Sequence, residues 1–151
     1  MSMPEAAGMD EATRHAIEWD CARLIALYVL RNDAGDRDDV TAPCAEDGLT
    51  SRPSAPDKPS IGRAAMVAAF RSRPTRASRH VCSNIVVEAE RGTRASPFSV
   101  TRLFHRQASG DGDPSARDAR GPLAGWFRDW FVKTAEGWRF SERRWRLDFA
   151  A

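Results

Sequence analysis

GWFRDWFVKTAEGWRFSERRW, from Gly125 to Trp145, is the stretch on which the reading of this chain turns. Two runs rich in large aromatic residues, near Leu123–Thr134 and Trp138–Asp148, are joined by only Ala135, Glu136 and Gly137. Such runs mark strands, and so tight a glycine-containing joint makes them an antiparallel hairpin. Trp126, Phe127, Trp130, Phe131, Trp138, Phe140 and Trp145 put large aromatics on both faces of the pair. A sheet apolar on both sides needs a cover on each, and helices of the same chain supply only one. A second copy of the chain against the outer face is the simplest other cover.

Upstream, RHVCSNIVVEAE (Arg79–Glu90) alternates as well. It places Val81, Ser83, Ile85, Val87 and Ala89 on one face and His80, Cys82, Asn84, Val86 and Glu88 on the other. After a turn at Glu90, Arg91 and Gly92 a further strand runs from Ala95 to Gln107. Residues 108–122, which include SGDGDPSARDARGP, are polar and predict a mobile connection. Earlier in the chain the period is helical. Ile17, Cys21, Leu24, Ile25, Tyr28 and Val29 share one face of a helix from Asp10 to Ala34, with Asp10 as N-cap and Gly35 as stop. Asp36 would cap a short second helix before Pro43. Thr50–Ser60 holds three prolines and reads as a loop, with at most a short strand at its start. Ser60 would cap a third helix that Pro74 ends. Helices first and an antiparallel sheet second is an α+β order, in one domain spanning 1–151 whose first nine residues are flexible.

Composition narrows the function classes. All but two of the 23 basic residues are arginine, the exceptions being Lys58 and Lys133, and 21 acids leave a net charge of +2. A nucleic-acid or membrane-surface binder would concentrate basic charge on one face or tail, so neither partner is expected. No basic-then-apolar leader opens the chain and no apolar run approaches the roughly 20 residues of a membrane span, which predicts a cytoplasmic protein. Cys21, Cys44 and Cys82 lack ligand spacing and read as reduced thiols. With three scattered histidines and no phosphate loop, neither a metal nor a cofactor is expected.

Three strings in order resemble the SnoaL-like branch of the nuclear-transport-factor-2-like (NTF2-like) superfamily: YVLRNDAGD (Tyr28–Asp36), RHVCSN (Arg79–Asn84) and the closing hairpin. The resemblance implies a cone, a curved antiparallel sheet wrapped around N-terminal helices with an internal pocket for a small apolar molecule. It also implies a homodimer formed through the outer sheet face. Asp33 matches the pocket-facing carboxylate of that family, at a helix end where the dipole disfavours an acid and apolar walls would desolvate it toward a general base. His80 could pair with it and shuttle a proton. Tyr28, the only tyrosine, could donate to a substrate carbonyl or simply pack as core. Asn84 could orient a ligand or bond neighbouring backbone. Asp129 is a second pocket acid or an ion-pair partner, since a charge on that strand needs pairing. Arg139, Arg143, Arg144 and Arg146 read as a charged strand face balanced by Glu142 and Asp148.

The resemblance implies a cofactor-free lyase or isomerase, dehydratase- or cyclase-like, moving a proton next to the carbonyl of a small apolar compound. Dehydratase-type members carry a second pocket histidine on the strand that here reads PFSVTRLFHR. The matching place near Ser99 or Thr101 holds none, and His105 lies further along. RHVCSNIVVE, FSVTRLFHR and SERRWRLDFA also resemble the small (beta) subunit of aromatic-ring-hydroxylating dioxygenases, a non-catalytic partner of a large subunit. A module that binds a small ligand without chemistry is the third reading.

Overall fold

The computed structural model describes residues 8–52, 55–74, 76–107 and 123–150, with the backbone alone at 76, 91, 96–107, 149 and 150. The expected mobile connection at 108–122 and most of the flexible N-terminus lie outside the described residues.

Helix α1 spans Glu11–Ala34 and starts as its sequence dictates, Asp10 accepting a hydrogen bond from the Thr13 amide at 2.9 Å. Gly35 ends it at φ 75°, and the Asp36 amide reaches back to the Arg31 carbonyl at 3.0 Å, which closes the last turn. Ile17, Cys21, Ile25 and Tyr28 form its buried stripe. Residues 36–43 make successive turns rather than the expected short helix. Between Gly35 and Pro43 there is room for fewer than two turns, too little to repay helix nucleation. Asp36 still accepts from the Asp39 amide at 3.0 Å.

The expected loop is instead a hairpin of β1 (Cys44–Arg52) and β2 (Ala55–Ile61), the largest difference from the sequence reading. Pro56 and Pro59 are tolerated because β2 is an edge strand. Helix α2 (Arg63–Arg71) follows, begun at Gly62 without a side-chain cap, so Ser60 does not cap it. It buries Met66 and Phe70, four residues apart. A meander of β3 (Arg76–Arg91), β4 (Arg94–Gln107), β5 (Leu123–Thr134) and β6 (Gly137–Ala150) completes one six-stranded sheet in the order β2-β1-β6-β5-β4-β3. Every pairing is antiparallel except β1 with β6, which is parallel. The sheet is curved and unclosed, the NTF2-like α+β fold, with α1 packed along β3, β4 and β6.

Two bulges reset which residues face inward. On β3 the register slips between Ser83 and Val86, and Asn84 adopts φ 52°. His80 and Cys82 therefore share the inner side with Ile85, Val87 and Ala89, while Asn84 is exposed. On β6 the slip falls opposite Trp130 and Phe131, so Trp138 and Phe140 face inward and, past it, Arg143 and Trp145 do. Phe127, Asp129 and Phe131 meet them from β5. The outer side leaves Val81 and Val86 exposed and Trp126 and Trp130 half-buried. Cys21 and Cys44 are buried free thiols that burial pushes up to about 12 and about 11. No helix among the described residues is long and apolar enough to cross a membrane.

Candidate active site

The last turn of α1 delivers Asp33 to the inner side of β3, where three donors converge on its carboxylate. The His80 amide donates to Oδ2 at 2.8 Å and the Ser78 hydroxyl to Oδ1 at 3.0 Å. The His80 ring meets Oδ1 through Nδ1 at 2.5 Å. Ser78 and His80 are two residues apart and so point to the same side of the strand. The Asp33 and His80 side chains are only 4% and 10% exposed, so the pair is largely withdrawn from water. With the carboxylate accepting from Nδ1–H, the imidazole tautomer is set and Nε2 becomes the nitrogen able to take a proton. Such a pair can orient a base and steady the imidazolium that forms when it acts.

Tyr28 lies one and a half turns before Asp33 on the same helix. Its ring meets Phe70 and Phe140 edge-on, with centroids 6.2 and 5.9 Å away, and burial pushes its phenol well above the usual range. Asp129 is fully buried and pairs with Arg143, whose Nη1 donates to Oδ2 at 2.8 Å. Burial pushes Asp129 up to about 7, against the downward pull of the guanidinium. The Arg143 guanidinium lies 3.7 Å from the Phe127 centroid and 4.5 Å from that of Tyr28. Asp33 and His80 are thus brought together, Asp129 and Tyr28 meet around Arg143 instead, and Asn84 stands on the outside at its bulge.

Two of these residues were not singled out from the sequence as site residues. Ser78 is signalled only by its spacing from His80. From the sequence Arg143 reads as part of a balanced charged strand face, but the β6 bulge turns it inward. Among the described residues no group of three or more His, Cys, Asp and Glu could hold a metal. The side chains at Ser99, Thr101 and His105 lie outside the described residues. On the α2 side a narrow cleft with free volume of about 20 Å³, enough for one water-sized group, is lined by Tyr28, Thr50, Ser51, Arg52, Lys58, Ser60, Met66, Ala69, Phe70 and Arg73.

A curved sheet around a long helix, with an Asp–His pair at the helix end, defines a class of small α+β pocket folds. Residues 13–144 match the SnoaL-like domain, and the chain belongs to that family. No protein of curated function matches the sequence. Among solved structures it is similar to a candidate scytalone dehydratase from Novosphingobium aromaticivorans, with a TM-score of 0.78 and 23% identity over 94% of this chain and 91% of that one. A hexachlorocyclohexane dehydrochlorinase, LinA type 2, superimposes with a TM-score of 0.79 at 10% identity, covering 94% and 92%. A candidate aromatic ring hydroxylase from N. aromaticivorans gives 0.73 at 17% identity, covering 91% and 94%. At these identities the likenesses establish the fold.

Proposed function

We propose that the chain is a cofactor-free lyase or isomerase that removes a proton next to the carbonyl of a small, largely apolar compound. His80 is the base through Nε2, and Asp33, held by Ser78 and the His80 amide, orients it and balances the imidazolium charge. The observation that carries this reading is the withdrawn Asp33–His80 contact at 2.5 Å. A subunit that only held a larger partner together would have no use for it, which favours this reading over the dioxygenase beta-subunit one. A module that binds without chemistry would not need the base oriented. The dehydratase and dehydrochlorinase names of two similar structures both describe eliminations, each of which needs a base to take a proton from carbon.

The test is exchange of the α-hydrogens of 2-tetralone in D2O, followed by proton NMR. Wild type accelerates exchange, and Asp33→Asn or His80→Gln slows the catalysed rate by about 10²–10⁴-fold. A dyad variant exchanging at the wild-type rate, or a wild type no faster than buffer, defeats the proposal. We propose further that the outer sheet face, with Trp126, Trp130, Val81 and Val86, is covered by a second copy of the chain. Sedimentation of wild type as a dimer, and of Val86→Glu as a monomer, is the expected result; a wild-type monomer removes the idea.

A further inference from the structure

The buried pair on β5 and β6 is only half used. Arg143 Nη1 is bonded to Asp129 Oδ2, but Arg143 Nε, Arg143 Nη2 and Asp129 Oδ1 are buried without partners. In a guanidinium the Nε–H and one N–H of Nη2 lie parallel along a single edge. Arginine does not shed its proton in proteins, so these are two permanently charged donors facing the same way in an apolar setting. Phe127, Tyr28 and Phe140 surround the group at 3.7, 4.5 and 4.9 Å from ring centroid to Cζ. A planar group with two acceptor oxygens matches that edge, and a desolvated fork of this kind selects carboxylate.

We propose that the Nε–Nη2 edge of Arg143 is the docking point for a carboxylate carried by the ligand of this protein. This extends the proposed function, resting on its reading of the inner face as a ligand site, and narrows the substrate class to apolar, preferably aromatic, compounds with a carboxylate. The surrounding charge agrees. The narrow cleft that shares Tyr28 is lined by Arg52, Lys58 and Arg73 and by no carboxylate, so it presents positive potential to an approaching anion. Thr50 of that lining is the strand partner of Arg143 in the sheet.

A carboxylate at this edge would place two negative groups on one guanidinium. Asp129 can resolve that by taking a proton, since its ordinary carboxyl behaviour is already displaced to about 7 by burial. The titratable groups that face it are Arg143 from β6, Tyr28 from α1 and Cys44 from β1. Burial pushes both the tyrosine and the cysteine upward, so near neutrality Asp129 is the one among them that changes charge. Docking is therefore accompanied by proton uptake and weakens as pH rises.

Isothermal titration with phenylacetate and its neutral isostere phenylacetamide tests this. Wild type should bind phenylacetate about 10-fold more tightly than phenylacetamide near pH 6, with proton uptake and a smaller preference near pH 8. Asp129→Leu combined with Arg143→Met, which exchanges the pair for apolar side chains, should bind the two probes equally. A wild type without preference, or a double variant that keeps it, overturns the proposal. If the double variant does not fold, Asp129→Asn decides: it should hold its preference near pH 8, and a pH profile identical to wild type overturns the proposal. Asp33→Asn should keep the preference while losing 2-tetralone exchange. Loss of one readout without the other therefore shows which of the two proposals has failed.

Discussion

Among the described residues, Arg143 and Asp129 are the charged side chains that give up the most hydration. Their worth lies in the pairing, not in the charges. Removing one partner strands the other, so Asp129→Ala should cost about 3–5 kcal/mol in urea unfolding, while Asp129→Leu with Arg143→Met should be close to neutral or stabilising. A single variant no worse than the double one would show that the pair is not closed as described. The same aspartate sets a pH effect. Its folded-state value is raised to about 7 from 3.8, so between these the folded protein holds a proton that the unfolded chain has lost. Stability from this group is present below the unfolded value and declines as pH climbs toward about 7. Melting temperatures of wild type should therefore fall relative to Asp129→Asn across that window, and parallel curves would contradict the assignment.

At the scale of the element, the bulges decide the chemistry. Counting outward from the Thr134–Gly137 pair, an unbroken hairpin would set Asp129 opposite Glu142. The extra residue on β6 sets it opposite Arg143 instead. A repulsive pair becomes an attractive one through a single register slip. The β3 bulge acts likewise by turning Asn84 outward and Ile85 inward. Asn84 sits in the left-handed region at φ 52°, so Asn84→Val should cost about 1–2 kcal/mol whereas Asn84→Gly should be neutral within error, as chemical denaturation would read. Equal losses for both would mean that the side chain, not the backbone, matters there.

These bulges also mark where the sequence stopped being legible. Helix α1 could be read with both caps because Asp10 and Gly35 act locally on their own backbone. The strand pair around Ala135–Gly137 could be read because aromatic-rich runs and a short turn are local too. The Asp33–His80 contact was legible only through resemblance, since 47 residues separate the two. The inward turn of Arg143 was not, because SERRWR carries no apolar alternation to fix its phase and only pairing with β5 selects one. Thr50–Ser60 misled because proline argues against a strand in general, yet not on the edge that β2 occupies.

On the scale of the whole molecule, the buried thiols report on global opening. Cys21 and Cys44 are both inaccessible and held protonated by burial, to about 12 and about 11, so a thiol reagent should leave them unmodified in the native protein. Mass spectrometry should find iodoacetamide on Cys21 and Cys44 only as fast as the protein unfolds, with the half-buried Cys82 as the internal comparison. Prompt labelling of Cys21 would show that α1 detaches from the sheet by itself.

The sheet order carries a consequence for how the chain is made. β6, the last strand in the sequence, sits in the interior of the sheet, hydrogen-bonded to β5 on one side and to β1 on the other. During synthesis the β1–β2 hairpin and the β3–β5 meander can each form, yet nothing joins them until Gly137–Ala150 has left the ribosome. A nascent chain halted before Gly137 would expose two open strand edges that the finished protein keeps paired, and so would be open to strand pairing with other chains. The step that completes the sheet and aligns Arg143 with Asp129 is thus the entry of β6 between β1 and β5, after every other described strand has been made.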